Sequence, residues 1–136
     1  MDKKVQSLLE GCIQKAGEKL KSARTLFKDE SYDDATSRAY YCCFHAAQAV
    51  LLTEGLSANT HHGLLNLFGL HFVKTGKFDN RFGRMLSNLK DDRENGDYEI
   101  YSAIDRETAQ KAIVEAEEFL KETKRYLAKY LKKRSS

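Results

Sequence analysis

The chain contains no proline and no tryptophan. Without proline nothing breaks a helix from inside, and long helical stretches can run uninterrupted. Its three cysteines, Cys12, Cys42 and Cys43, form no Cys-x-x-Cys pair, which excludes the usual zinc and dithiol arrangements and leaves them as small interior hydrophobes. The eight glycines make no phosphate-cradling loop, and neither a Gly-x-Ser-x-Gly elbow nor a His-x-Glu deaminase signature occurs. Three residues before the four histidines stand Cys42, Ala58, Asn59 and Phe68, so the Glu-x-x-His pairs of a di-iron bundle are missing. His61 and His62 are neighbours at a helix start, diverge by about 100°, and read as solvated surface. No metal and no cofactor is expected. The longest apolar run, Ala39 to Leu52, holds 14 residues, too few to span a bilayer. A net charge of +3 is too small to announce nucleic acid by itself.

What is present is 3.6-residue periodicity along almost the whole chain. At 136 residues, with 41% hydrophobic and 32% charged residues, the chain suits one domain over 1–136 with a core of its own. Val5, Leu8, Leu9, Cys12, Ile13, Ala16, Leu20, Ala23 and Phe27 predict a first helix over 2–28. Ser31 and Asp34 make a capping signature for the next helix, Asp33 and Asp34 favour its first turn, and Gly55 offers a left-handed stop after it. Ser57-Ala-Asn-Thr60 caps a third helix over 61–74. Asp79 starts a fourth, which is expected to fray over 90–96 and to stop at Gly96. The aromatic stretch 97–104 is expected to pack down as a loop, and Asp105 caps a final helix to about 132. The fold class is therefore all-α, an antiparallel up-and-down bundle of about five helices. Met1-Asp-Lys-Lys leads straight into helix without a secretory leader, so the cytoplasm is the expected location and no membrane partner is expected.

The second helix is the organising element. Between Ala39 and Leu52 only His45 and Gln48 are strongly polar, and a helix apolar on every side belongs in the middle of a protein. At about 100° per residue, Arg38, Tyr41, His45 and Gln48 fall within an arc of roughly 80°. That stripe reads either as a working surface, a nucleotide- or RNA-facing groove or a dimer seam with polar keys, or as plain structure, with Arg38 reaching solvent and His45 hydrogen-bonded inside. Lys121 to Ser136 carries seven basic residues against one acid, Glu122. Basic side chains suit a helix C-terminus, so a solvated tail over about 132–136 is favoured over a phosphate-binding patch.

Ser37-Arg-Ala-Tyr-Tyr-Cys-Cys-Phe-His-Ala-Ala47, Gly55-Leu-Ser57, Thr60-His-His-Gly63, Phe72-Val-Lys-Thr-Gly76 and Arg93 through Asp97-Tyr98 occur in that order. Together they resemble the HEPN superfamily, in particular its small stand-alone bacterial and archaeal members. The resemblance covers nearly the whole chain. It implies a helical bundle, usually a homodimer, often paired with a minimal nucleotidyltransferase as toxin and antitoxin. Active HEPN toxins look like metal-independent endoribonucleases with an Arg-x4-6-His motif on a late helix. There the arginine would stabilise phosphate charge and the histidine would activate the 2′-hydroxyl. Arg93 stands at the corresponding place, but Glu94-Asn-Gly-Asp-Tyr98 follows without a histidine. Asp97 or Tyr98 takes its position, and neither suits a base beside phosphate at neutral pH. Arg38-x6-His45 fits the motif as a string, on the central helix instead. The resemblance also points to Tyr98 and Tyr101 as sites a nucleotidyltransferase partner would modify. The favoured function is a dimeric nucleotide- or RNA-associated module, with Arg38, Tyr41, His45 and Gln48 in its groove. The alternatives are a ribonuclease toxin using Arg93 with Asp97 or Tyr98, or Arg38 with His45, and a non-catalytic scaffold.

Overall fold

The computed structural model describes residues 3–98 and 104–135, except for the side chains of 95–98 and 135. Five helices follow one another: α1 (Lys3–Lys28), α2 (Tyr32–Leu52), α3 (His61–Phe68), α4 (Asn80–Tyr98) and α5 (Arg106–Ser135). No strand occurs among the described residues, so the all-α bundle expected from the periodicity is what the chain forms. One wide π-helical turn, Gly69–Val73, extends α3.

α2 sits in the middle, packed against α1, α4, α5 and α3. Ala35, Ala39, Ala46, Ala47 and Ala49 are fully buried on it, and their small side chains let the surrounding helices approach closely. Tyr40 is the largest fully buried residue. Cys42 and Cys43 are buried free thiols; burial pushes Cys42 up to about 12 and Cys43 well above the usual thiol range, which leaves both unreactive. At one end of the core Phe68, Phe78, Phe82 and Phe119 interleave with centroids 5.2 to 6.0 Å apart. Such edge and tilted pairs each add about 0.5–1.5 kcal/mol to simple burial.

The helix ends are specified locally. Leu56 N–H donates to Leu51 O at 3.0 Å and Gly55 N–H to Leu52 O at 3.1 Å, with Gly55 at φ 69°. This is the six-residue stop that Gly55 predicts. The same pair of bonds closes α1, from Ser31 to Leu26 O and Glu30 to Phe27 O, but Glu30 holds the left-handed position at φ 63°. A side chain there costs on the order of 1 kcal/mol, partly offset by the extra unfolded-state freedom of glycine. Glu30→Gly is therefore expected to raise stability by about 0.5 kcal/mol, read as a higher urea midpoint. A lower midpoint would contradict this account of the turn.

Two local expectations are corrected. Ser31 occupies the α2 N-cap without a side-chain capping bond; Asp33 Oδ1 instead accepts from Ile104 N–H at 2.9 Å, tying the entry to α5 onto the start of α2. α4 does not stop at Gly96 but continues to Tyr98, because a single glycine costs a helix only about 1 kcal/mol. Of the stretch expected to pack as a loop, 99–103 lies outside the described residues. Asp105 caps α5 as expected, its Oδ1 accepting from Thr108 N–H at 2.8 Å.

Candidate functional site

The polar stripe of α2 is divided by its neighbours. Arg38 is exposed and lines a groove with Lys21, Ser22, Thr25 and Leu26 of α1. His45 is half-buried, and its pKa is lowered first by burial, then by Lys15 and Lys19 of α1. Gln48 is engaged with backbone: its Nε2 donates to Ala58 O at 2.8 Å and its Oε1 accepts from Ala58 N–H at 3.4 Å. Tyr41 faces α4 and the start of α3, and its ring centre lies 6.4 Å from that of His45.

There the fold assembles a cluster from three helices. The Arg93 guanidinium of α4 lies 5.1 Å from the Tyr41 ring centre and 5.7 Å from that of Tyr40. His61, the first residue of α3, packs on the same two rings, with centroids 5.2 Å from Tyr40 and 6.0 Å from Tyr41. Phe44 closes the group at 5.2 Å from His61. Tyr40 Oη and His61 Nδ1 share a hydrogen bond of 2.6 Å.

Local sequence explains why His61 sits there. Thr60 Oγ1 accepts from Gly63 N–H at 2.9 Å and sets the first turn of α3. The Gln48 clamp on Ala58 holds the approach to that cap. A residue of the predicted groove thus acts by placing a histidine rather than by facing a ligand. Sequence reasoning set His61 aside as solvated surface. The available signal was its place in Thr60-His-His-Gly63, directly after a cap, within the HEPN-like pattern.

The electrostatics follow from burial and near neighbours. Burial holds the Tyr40 hydroxyl well above the usual phenol range, against the opposing pull of Arg93, so it stays protonated. His61 is shifted down, first by burial, then by Arg93 and Lys90, with Glu94 opposing. It is therefore neutral at pH 7. Lys90 Nζ binds Glu94 Oε1 at 2.8 Å, and this contact is the main reason the Glu94 carboxyl is lowered. The sign for variants is direct: removing a cation favours imidazolium. In an NMR titration Arg93→Gln is expected to raise the His61 pKa and Glu94→Gln to lower it further. A His61 titration unchanged in both would mean the cluster is not formed.

A hydroxyl–imidazole pair can hold its proton either way. When His61 Nδ1–H donates to Tyr40 Oη, Nε2 presents a lone pair and can accept a proton. When Tyr40 O–H donates to Nδ1, Nε2 presents an N–H donor. Asp97 and Tyr98 occupy the last two positions of α4, Asp97 one turn beyond Arg93. Their side chains, and all of Tyr101, lie outside the described residues. Among the described residues no three His, Cys, Asp or Glu side chains converge in a way that could hold a metal ion, and no helix is long and apolar enough to cross a membrane.

Comparison with known proteins agrees with the architecture. The chain is 35% identical, over 96% of its length and 97% of the relative's, to a Methanocaldococcus jannaschii protein that carries the name "Putative toxin". A second protein of that organism with the same name is 32% identical over 93% of this chain and 86% of its own. A Thermotoga maritima protein named "UPF0332 protein" is 35% identical over 85% of this chain and 87% of its own. The HEPN domain profile matches residues 9–126, a span that contains α2, all of α3 and α4, and every residue of the Arg93 cluster. The chain belongs to the HEPN domain family.

Proposed function

We propose that this chain is a toxin-like HEPN module that engages RNA at the corner formed by Arg93, Tyr41, Phe44 and His61. The observation that carries this reading is the Arg93 guanidinium set over two tyrosine rings beside a histidine held by a hydrogen bond to Tyr40. A guanidinium suits a phosphate, which it can hold through two parallel hydrogen bonds. Half-buried Tyr41 and Phe44 offer ring surface on which an unpaired base can stack. Tyr40, fully buried, serves as the floor and as the anchor for His61. The names carried by the two Methanocaldococcus relatives support the toxin-like part of the reading. The full-length protein is expected to bind a labelled single-stranded RNA in EDTA, more weakly as salt rises. Absence of binding at low salt would overturn the proposal.

One observation favours a second reading, metal-independent RNA cleavage. His61 packs on the same two tyrosine rings as Arg93, where it would stand in for the histidine missing after Arg93 in sequence. With Nδ1–H donating to Tyr40 Oη, Nε2 would take the proton of a 2′-hydroxyl whose oxygen attacks the adjacent phosphorus, while the P–O5′ bond breaks and the departing 5′-oxygen takes a proton from water. Arg93 would hold the charge gained by the phosphoryl oxygens. Products ending in 2′,3′-cyclic phosphate, formed in EDTA and lost in His61→Ala, would establish this; RNA left intact would return the chain to binding alone.

Homodimerisation and work with a minimal nucleotidyltransferase rest on the family resemblance, as does modification at Tyr98 or Tyr101. Light scattering on the purified protein tests the first. Mass spectrometry of the protein co-produced with such an enzyme tests the others, and an unmodified peptide spanning 94–106 would end the modification idea.

A further inference from the structure

The Arg93 corner already holds an anion that belongs to the chain. Lys90, Arg93 and Glu94 stand at i, i+3 and i+4 on α4 and so share one face of that helix. Lys90 Nζ donates to Glu94 Oε1 at 2.8 Å. The Glu94 carboxyl is lowered first by that bond and further by the nearby Lys90, Arg93 and His61, with burial opposing. His61 in turn feels Arg93, Lys90 and Glu94. Basic groups from two helices, α3 and α4, therefore converge on one carboxylate.

An i,i+4 ion pair on a helix is often plain surface support and contributes little. Two features set this one apart. Lys90 precedes Glu94, which is the less favourable order for such a pair. Arg93 and His61 also act on the same carboxylate, one from the adjacent position and one from another helix. The Lys90 side chain is 19% exposed and that of Glu94 41%, so the cation is packed in place and the acid is the member open to displacement. A carboxylate and a phosphate ask for the same partners, cationic N–H donors set around oxygen atoms.

We propose that Glu94 occupies the phosphate seat of the RNA corner in the free chain, and that RNA binds by displacing it, with Lys90 joining Arg93 on the incoming phosphate. The inference rests on the RNA reading of the corner given above. Glu94 is then a built-in competitor that favours a strand over a small anion. A strand also gains stacking on Tyr41 and Phe44, whereas a lone phosphate ion has only the seat to offset the displaced carboxylate.

The test compares the full-length protein with Glu94→Gln, Lys90→Gln and Asp91→Asn for binding of a labelled single-stranded RNA in EDTA over a range of salt. Glu94→Gln is expected to bind roughly three- to tenfold more tightly, since a like charge leaves the seat. Its salt slope should steepen by roughly 0.7, because no displaced carboxylate takes up a counterion. Inorganic phosphate should compete with RNA at a lower concentration in Glu94→Gln than in wild type. Lys90→Gln is expected to weaken RNA severalfold. Asp91 is an exposed acid on the same helix, and Asp91→Asn should change affinity by less than about twofold, as a screened charge outside the seat. Melting temperatures should stay close to that of wild type, the pair being partly exposed. Affinity and salt slope unchanged in Glu94→Gln, while Arg93→Ala weakens RNA, would overturn the competitor role and leave the RNA corner standing. An equal gain in Asp91→Asn would overturn it too, because the charge would then act from anywhere on the helix. RNA bound neither by wild type nor by Glu94→Gln would overturn the corner itself.

Discussion

Arg93→Ala is expected to lower RNA affinity by about 10- to 100-fold while leaving the fold intact. A charge-assisted hydrogen bond to phosphate contributes about 1.5–3 kcal/mol, which corresponds to that range. Arg93 is half-buried and its guanidinium lies over the Tyr40 and Tyr41 rings, so its removal uncovers ring surface without emptying the core. Thermal stability should then change by no more than about 1 kcal/mol. Because one phosphate contact is lost on a single strand, the slope of log affinity against log salt should shrink by roughly 0.7. Arg93→Lys keeps the charge but not the planar fork, and should fall between wild type and alanine. An affinity within twofold of wild type in Arg93→Ala, with the salt slope unchanged, would remove Arg93 from the site. If the protein cleaves RNA, the same variant should lose cleavage more severely than binding, since charge at phosphorus grows in the transition state.

Ala46→Asp is expected to cost about 3 kcal/mol or more and to unfold much of the protein at ordinary temperature. Ala46 has no exposed surface and belongs to the main core cluster, so a carboxylate there is cut off from water. For a domain of this size that corresponds to a drop in melting temperature of roughly 10 °C or more. Gln110→Asp, at an exposed site on α5, introduces the same group into the same fold and should shift stability by no more than about 0.5 kcal/mol. The contrast distinguishes burial from a general intolerance of negative charge. A soluble Ala46→Asp protein that melts like wild type would mean that α2 is not the middle of the bundle.

The bundle could be read from residues because helix formation and burial are periodic properties of neighbours in sequence. The run Ala39 to Leu52 announces a surrounded helix, Gly55 announces a stop, and Thr60 and Asp105 announce starts; each is found in its expected role. Where local reading failed, a weak local signal lost to a longer-range interaction. Asp33, expected only to favour the start of α2, also holds Ile104 from 71 residues away. Gly96 did not end α4, because the helix runs on to Tyr98 against the mild penalty of one glycine.

The candidate site was legible only in fragments. Arg93 and Tyr41 were both singled out from sequence, yet nothing local joins them, since 52 positions separate them along the chain. Helical periodicity placed Arg38, Tyr41, His45 and Gln48 on one stripe. It could not show that α1 takes Arg38 and His45, that the linker takes Gln48, and that only Tyr41 reaches Arg93. By itself the sequence determined an all-helical HEPN-type chain with a buried α2, because hydrophobic period and caps act over three or four residues. Tertiary structure alone decided which histidine stands beside the arginine: helices far apart in the chain must pack before His61, Tyr40 and Arg93 share one place.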